Sequence, residues 1–442
     1  MFKFKVSEIL DICNGKLINT REDFTIENIS INSNEINEND LFIPIIGNRY
    51  DAHDFVNEAL SKAKIALFQS DHDYSKINKA LILVEDTKLA LGELAKAYLK
   101  KVRPTVIGIT GSNGKTSTKD ILFCLARRYN KTHATNGNQN NEIGLPLTIL
   151  SMPMDTELLI LEMGMSALGD LDYLGSIAKM DLAIITSIGS AHLADLGSYE
   201  NIYKAKLEIA KHLKVGGRLL VNGDNSEFLN SLRKLKLECP IKTFGFNKAN
   251  NYHTKVLKTN PLIFEFTKII TTNLIGEFQA LNCIAAIIAL DSLKIKFNLE
   301  DLNNIELTKN RNEISIIKKA IVIDDSYKSN PESLAHALKI LSSYSQKSIA
   351  VLGDMYDLGD DSKQFHSEIG KLIKALAIDH LFTLGDHARY FHEDDVDGKH
   401  FNNADELLKE IIPFLDENCV ILFKASNALK FYDIVDKLGE YR

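Results

Sequence analysis

The stretch Gly108-Ile-Thr-Gly-Ser-Asn-Gly-Lys-Thr-Ser-Thr118 leaves an apolar, β-branched run that begins at Val106, and it opens a helical pattern at Lys115. A glycine turn between a strand and a helix is a place where proteins hold phosphate. The turn's N–H groups converge on an anion and the helix amino end adds partial positive charge. Gly111 and Gly114 let the backbone curl, Lys115 reaches β/γ-phosphate oxygens, and the Thr116 hydroxyl suits Mg2+; Ser112, Asn113 and Ser117 complete the loop. The working spacing is Gly111-x-x-Gly114-Lys115-Thr116, because Ile109 stands six before Lys115 where the common phosphate-loop pattern has glycine. Read blandly, the same residues make an ordinary turn. The two glycines, the lysine and the paired hydroxyls together favour nucleotide phosphates.

Outward from this turn, strands and helices keep alternating: Leu158-Leu-Ile-Leu-Glu, Leu182-Ala-Ile-Ile-Thr and Arg218-Leu-Leu-Val, each separated by helical stretches. That order means βαβ units and a largely parallel sheet, with ligands at the carboxyl ends of the strands. A second series starts near Ile316 with Ala320-Ile-Val-Ile-Asp. A helix from Pro331 follows, then Ile349-Ala-Val-Leu-Gly, a helix over about Ser367–Leu376, Leu381-Phe-Thr-Leu-Gly and Val420-Ile-Leu-Phe-Lys. Upstream, short apolar runs between Ile29 and Phe68 and a helical pattern from Phe55 to Ala63 indicate a smaller mixed domain. The expected fold is α/β in three domains: a small mixed α/β domain over 1–98, a central parallel-sheet domain with the phosphate loop over 99–314, and a Rossmann-like domain over 315–442. Lys100 to Pro104 reads as the first linker.

Composition agrees with several cores, since 442 residues exceed one typical domain and 45% hydrophobic residues leave ample surface to bury. With 52 Lys+Arg against 59 Asp+Glu the formal charge is −7, which argues against nucleic acid or an anionic membrane as the main partner. The 5 cysteines are far apart and form no C-x-x-C, so neither a disulfide framework nor a thiolate zinc site is indicated. No apolar run is long enough for a membrane span, and a cytoplasmic location is the expectation.

Three further residues stand near strand ends or on a buried stripe. Glu162 ends Leu158-Leu-Ile-Leu-Glu and would set a carboxylate beside the phosphate loop, a seat for a Mg2+ ligand. His192 follows a strand in Ile188-Gly-Ser-Ala-His-Leu, where a lone histidine is more often structural than a ligand. Between Ile202 and Leu213, a helix at about 100° per residue puts Ile202, Ala205, Ile209 and Leu213 on one stripe with Lys206 inside it. A buried lysine loses its proton easily, and the neutral amine can take up CO2 as a metal-binding carbamate. The other reading is a packed stem with its ammonium reaching solvent.

Taken together these segments resemble the Mur ligase family, ATP-dependent amide-forming enzymes of peptidoglycan assembly. The resemblance runs from Ile31-Asn-Ser-Asn, Asp40-Leu-Phe and Asp51-Ala-His-Asp-Phe-Val to Lys424-Ala-Ser-Asn, nearly the whole chain. Thr135-Asn-Gly-Asn-Gln-Asn-Asn-Glu-Ile-Gly-Leu-Pro-Leu-Thr, Glu162-Met-Gly, Ile323-Asp-Asp-Ser-Tyr-Lys-Ser-Asn-Pro and Val351-Leu-Gly-Asp-Met-Tyr-Asp-Leu-Gly are similar to the branch that joins D-alanyl-D-alanine to UDP-N-acetylmuramoyl-tripeptide.

The resemblance implies ATP and two Mg2+ ions, with Lys115, Lys206 and His192 as catalytic residues and Thr116, Glu162, His192 and a carbamylated Lys206 as metal ligands. It implies nucleotide contacts from Gly111 through Ser117 and from Asn282, Arg311, Asp325 and Tyr327. Ser33, Asn138, Asn140, Asn141 and Asn330 would serve the substrates of a monomeric, cytoplasmic enzyme. Asn-rich loops also form by turn chemistry alone.

Departures from the family pattern are equally specific. Phe278 and Gln279 replace the middle His-Asn of the adenine-side motif, Asn310-Arg-Asn-Glu stands where Gly-Arg-Met-Glu is usual, Lys328 replaces a frequent Asn, and Lys424-Ala-Ser-Asn replaces Lys-Gly-Ser-Arg. Rival readings are the family ligase that adds the third stem-peptide residue, a phosphate-loop NTPase or phosphotransferase making no amide, and a catalytically silent scaffold. The third domain and Asp324-Asp-Ser-Tyr are what the NTPase reading leaves unexplained.

Overall fold

The computed structural model describes residues 3–47, 49–235, 237–393 and 398–441. At its centre lies a seven-stranded sheet in which Thr105–Thr110 runs between Met180–Ile185 and Leu158–Glu162. All its pairings are parallel. Its three central strands read as nearly continuous apolar runs because both faces are covered. Val106, Leu159, Leu161, Ala183 and Ile185 join one core with the helix stripe Ile202, Ala205 and Ile209. Ile107, Ile109, Ile160 and Ile184 join another with the helices Lys115–Ala126 and Phe278–Ser292.

The amino-terminal sheet has five strands in the order Lys16–Ile18, Ala80–Val84, Ile65–Gln69, Asp40–Phe42 and Asn28–Ser30; only the Lys16–Ile18 edge pairs antiparallel. The carboxyl-terminal sheet has six strands, five parallel and one antiparallel edge, Glu313–Ile317. There Ala320–Asp324 pairs directly with Cys419–Lys424. Asp325, Tyr327 and Lys328 therefore leave the sheet beside Lys424. Among the described residues no helix is long and apolar enough to cross a membrane.

Both expected boundaries fall inside elements. The helix Thr87–Val102 starts on Asp86, whose side chain accepts the Leu89 N–H, and it ends at a left-handed Arg103 ahead of Pro104. Residues 100–102 are its last turn instead of a linker. This helix serves two domains at once, for Tyr98 is fully buried and its hydroxyl donates to the Met152 carbonyl at 2.7 Å. One core accordingly runs from Phe4 to Leu232.

The second boundary lies within Glu313–Ile317. A three-stranded antiparallel sheet, Lys255–Thr259, Leu262–Glu265 and Ile269–Thr271, is absent from the sequence reading. Two helices differ in extent: Ser362–Ala375 begins five residues before the expected Ser367, and Tyr199–Leu207 tightens into a 3-10 turn at Glu208–His212 before Leu213 enters a strand. The stripe nonetheless points inward as far as Ile209.

Candidate active site

A cavity of about 920 Å³ opens between the central and carboxyl-terminal domains, walled by residues from Ser112 to Ser117 on one side and by Arg311, Tyr327 and Lys328 on the other. The phosphate loop is braced from behind by the segment that follows Met180–Ile185. Thr186 Oγ1 donates to the Asn113 carbonyl at 2.6 Å, Ser187 Oγ donates to it at 2.9 Å, and the Gly189 N–H donates to Ser112 Oγ at 2.8 Å. Gly111 is needed because a Cβ there would collide with the Thr186 hydroxyl, and Gly114 holds φ +83° against Asn282.

Lys115 folds back on its own loop, donating to the Gly111 carbonyl at 2.6 Å. Burial pushes its pKa down to about 8; Glu162 opposes that shift, and Lys328 and Arg311 add to it. An anion entering the loop would meet an ammonium held only by carbonyls. The Thr116 hydroxyl donates to Glu162 at 2.7 Å, and Asn140 Nδ2 donates to the other carboxylate oxygen at 2.8 Å. Glu162 is 3% exposed. A carboxylate, a hydroxyl and an amide oxygen at the edge of a phosphate loop are hard oxygen donors of the kind Mg2+ takes.

His192 and Lys206 do not line this cavity. Both still feel its charges. Burial first, then Lys328 and Lys115, pushes His192 down to about 4, so the ring is neutral near pH 7. Lys206 is 1% exposed, and no hydrogen bond or ion pair among the described residues engages its amine. Burial, reinforced by Lys115 and Lys328, carries it well below an ordinary lysine.

Several expected ligand contacts are committed within the protein. Asn282 accepts from Thr118 and donates to Gln279 at 2.9 Å. Asn141 accepts from the Gly144 N–H that opens the helix Gly144–Ser151. Asp325 is gripped by Lys424 at 2.5 Å. Asn330 caps the helix Pro331–Ser342 and donates to Asn113 Oδ1 at 2.8 Å, so it spans the two domains. Asn138 lines the cavity. Ser33 lies apart in the first domain, buried in the turn Ser33–Glu35. The Arg311 guanidinium lies 4.1 Å from the Tyr327 ring centroid, and its Nε is buried without a partner.

Other contacts escape sequence reasoning altogether. Glu332 accepts from the N–H and hydroxyl of Ser190 at 2.8 and 3.0 Å, a second bridge from the carboxyl-terminal domain. Phe278 stacks on His336 with ring centroids 3.3 Å apart, and both line the cavity. In the first domain Asp51 sits between His53 and His72, at 2.6 and 2.9 Å. His53 Nε2 also accepts the Gln69 N–H, which fixes Nδ1 as the protonated nitrogen facing Asp51. That cluster is satisfied by its own hydrogen bonds.

The Mur ligase middle-domain model matches residues 109–290, and the model of the Mur ligase glutamate ligase domain matches residues 310–427. The UDP-N-acetylmuramoyl-tripeptide--D-alanyl-D-alanine ligase of Bacillus subtilis is 36% identical, covering 100% of this chain and 99% of its own. The enzyme of that name from Escherichia coli is 29% identical over 100% of this chain and 99% of its own. Among solved structures, MurF from Acinetobacter baumannii superposes with a TM-score of 0.91 at 25% identity, covering 99% of both chains. MurF ligase from Thermotoga maritima, solved in complex with ADP, gives 0.85 at 28% identity over 94% of this chain and 97% of that one.

Proposed function

The chain belongs to the Mur ligase family, and from that premise we propose that it joins D-alanyl-D-alanine to UDP-N-acetylmuramoyl-tripeptide at the expense of ATP, releasing ADP and phosphate. The observation that carries this reading is the cavity between two domains, with a phosphate loop on one wall and the cations Arg311 and Lys328 on the other. A carboxylate is a poor electrophile. Its oxygen attacks the γ-phosphorus, the bond to ADP breaks, and the acyl phosphate that results is open to an amine. The D-alanyl-D-alanine amine then attacks the acyl carbon and phosphate leaves with the carboxyl oxygen.

Bringing a carboxylate to a triphosphate sets anions against each other, and fixed positive groups aimed at the transferring phosphoryl offset that repulsion. Lys115 exchanges its loop carbonyls for β/γ-phosphate oxygens, and the loop N–H groups and helix end hold the rest. Thr116 and Glu162 would hold one Mg2+, and His192 with a carbamylated Lys206 the second; bound there, the ions would add Lewis-acid charge at the phosphoryl group. Burial lowers the Lys206 pKa, which favours the neutral amine that CO2 requires. Asn330 and Glu332, anchored on Asn113 and Ser190, keep the third domain over the site, which excludes water as a competing nucleophile.

In this reading the domains divide the labour: the first, with Ser33, takes the uridine end; the second takes ATP and, through Asn138 and Asn140, the peptide; the third brings the amine. Both nucleotides are cytoplasmic metabolites, so the enzyme works there, as a monomer. The test is phosphate release from ATP with UDP-N-acetylmuramoyl-tripeptide, with and without D-alanyl-D-alanine, and mass analysis of the product. Phosphate release that ignores the dipeptide, with no new amide mass, would overturn the proposal.

A further inference from the structure

We propose that Lys328 is a catalytic residue delivered by the carboxyl-terminal domain, its ammonium contacting the γ-phosphoryl oxygens of ATP and then the phosphate of the acyl intermediate. The inference rests on the ligase reading and adds a group which that reading does not need. Lys328 follows the strand Ala320–Asp324 and lines the same cavity as the phosphate loop and Glu162. Its side chain is open to the cavity, and no hydrogen bond or ion pair among the described residues occupies its ammonium. Asp357 and Asp195 feel its charge, as does Glu162, but none lies within ion-pair distance.

The backbone that carries it is fixed on two sides. Lys424 Nζ donates to the Lys328 carbonyl at 3.0 Å, and two residues on, Asn330 clasps Asn113 of the phosphate loop. A solvated surface lysine needs no such anchorage. The cavity lining balances five Lys or Arg against five Asp or Glu, but Lys115, Arg311 and Lys328 act on one another beside Glu162, whose carboxylate already accepts from Thr116 and Asn140. Cations gathered in this way at one side of a walled space attract a polyanion. Its influence extends to Lys115, His192 and Lys206, which sets Lys328 at the phosphoryl end and away from the Phe278–His336 stack. During transfer the γ-phosphorus exchanges its bond to ADP oxygen for one to the carboxylate oxygen. Lys328 keeps its protons throughout and neutralises the oxygens that carry the charge.

The test compares K328A, K328N and K328R with the wild type, reading ligation rates and calorimetric titrations with ADP and with a non-hydrolysable ATP analogue. K328A should lose about 10²-fold in kcat, bind the analogue roughly tenfold more weakly, and bind ADP as before, with K328R between it and the wild type. K328N guards against misfolding by keeping a polar side chain, and thermal melting checks each variant. Turnover within threefold of wild type in K328A, or equal weakening of ADP and the analogue, would overturn the assignment. Failure of the ligase reading shows separately, as absence of amide product from the wild type, while the titrations still report on Lys328.

Discussion

Lys206 in the central domain and Lys424 in the carboxyl-terminal domain are buried alike, 1% and 2% exposed, yet their surroundings are opposite. Lys424 reaches the Asp325 carboxylate at 2.5 Å, the Asp325 carbonyl at 3.4 Å and the Lys328 carbonyl at 3.0 Å, one acceptor for each of its three protons. Lys206 has no such partner among the described residues, and the charges that act on it are those of Lys115 and Lys328. Burial is therefore silent about role. A fully partnered ammonium ties loops together, whereas an unpartnered amine costs stability and persists where its reactivity is used.

Four measurements break or sharpen that contrast. The largest effect is expected from Lys115→Ala, which should abolish ATP-dependent ligation, at least about 10³-fold, while circular dichroism shows an unchanged fold; near wild-type turnover would refute the phosphate site. Next, Lys206→Ala should cost about 10²-fold in rate, and short carboxylates such as formate or acetate should restore part of it. Full activity in that variant would return Lys206 to a packing role. Third, the two lysines should part company in stability. Lys424→Met leaves Asp325 without its counter-charge and should destabilise by about 3 kcal/mol in urea unfolding, whereas Lys206→Met should be neutral or stabilising by about 1 kcal/mol. Equal losses would erase the distinction.

The smallest effect is a proton count. Burial pushes the Lys115 pKa down to about 8, and phosphates favour its charged form, so its pKa rises when nucleotide binds. Near pH 8 ATP binding should therefore take up protons, measured as a dependence of the calorimetric heat on buffer ionisation enthalpy. Proton release at that pH would point to a different group.

What could be read in the sequence was whatever a local period encodes. The glycine spacing before Lys115 marks a strand-to-helix junction, and the 3.6-residue repeat puts Lys206 on a buried face, because both patterns lie within a few turns of chain. The helix is shorter than its repeat suggests, since Leu213 is claimed by a strand. Contacts that close the site have no such signature: Asn113 with Asn330 spans 217 residues, and Ser190 with Glu332 spans 142. Asn282 and Asn141 show the converse, for an asparagine in a motif can spend its amide on a neighbouring helix. The long helix Thr87–Val102 hides a domain boundary because its apolar face lies in one core that runs through both domains.

The clasp between Asn330 and Asn113 makes the last lobe a sensor of what the phosphate loop holds. A carboxamide that begins one helix and grips the turn before another lets a change in that turn's shape reach the lobe, through a bond worth about 1 kcal/mol. A turn reshaped by incoming phosphate would tighten or loosen that grip, so its occupancy would bias how far the lobe stands open.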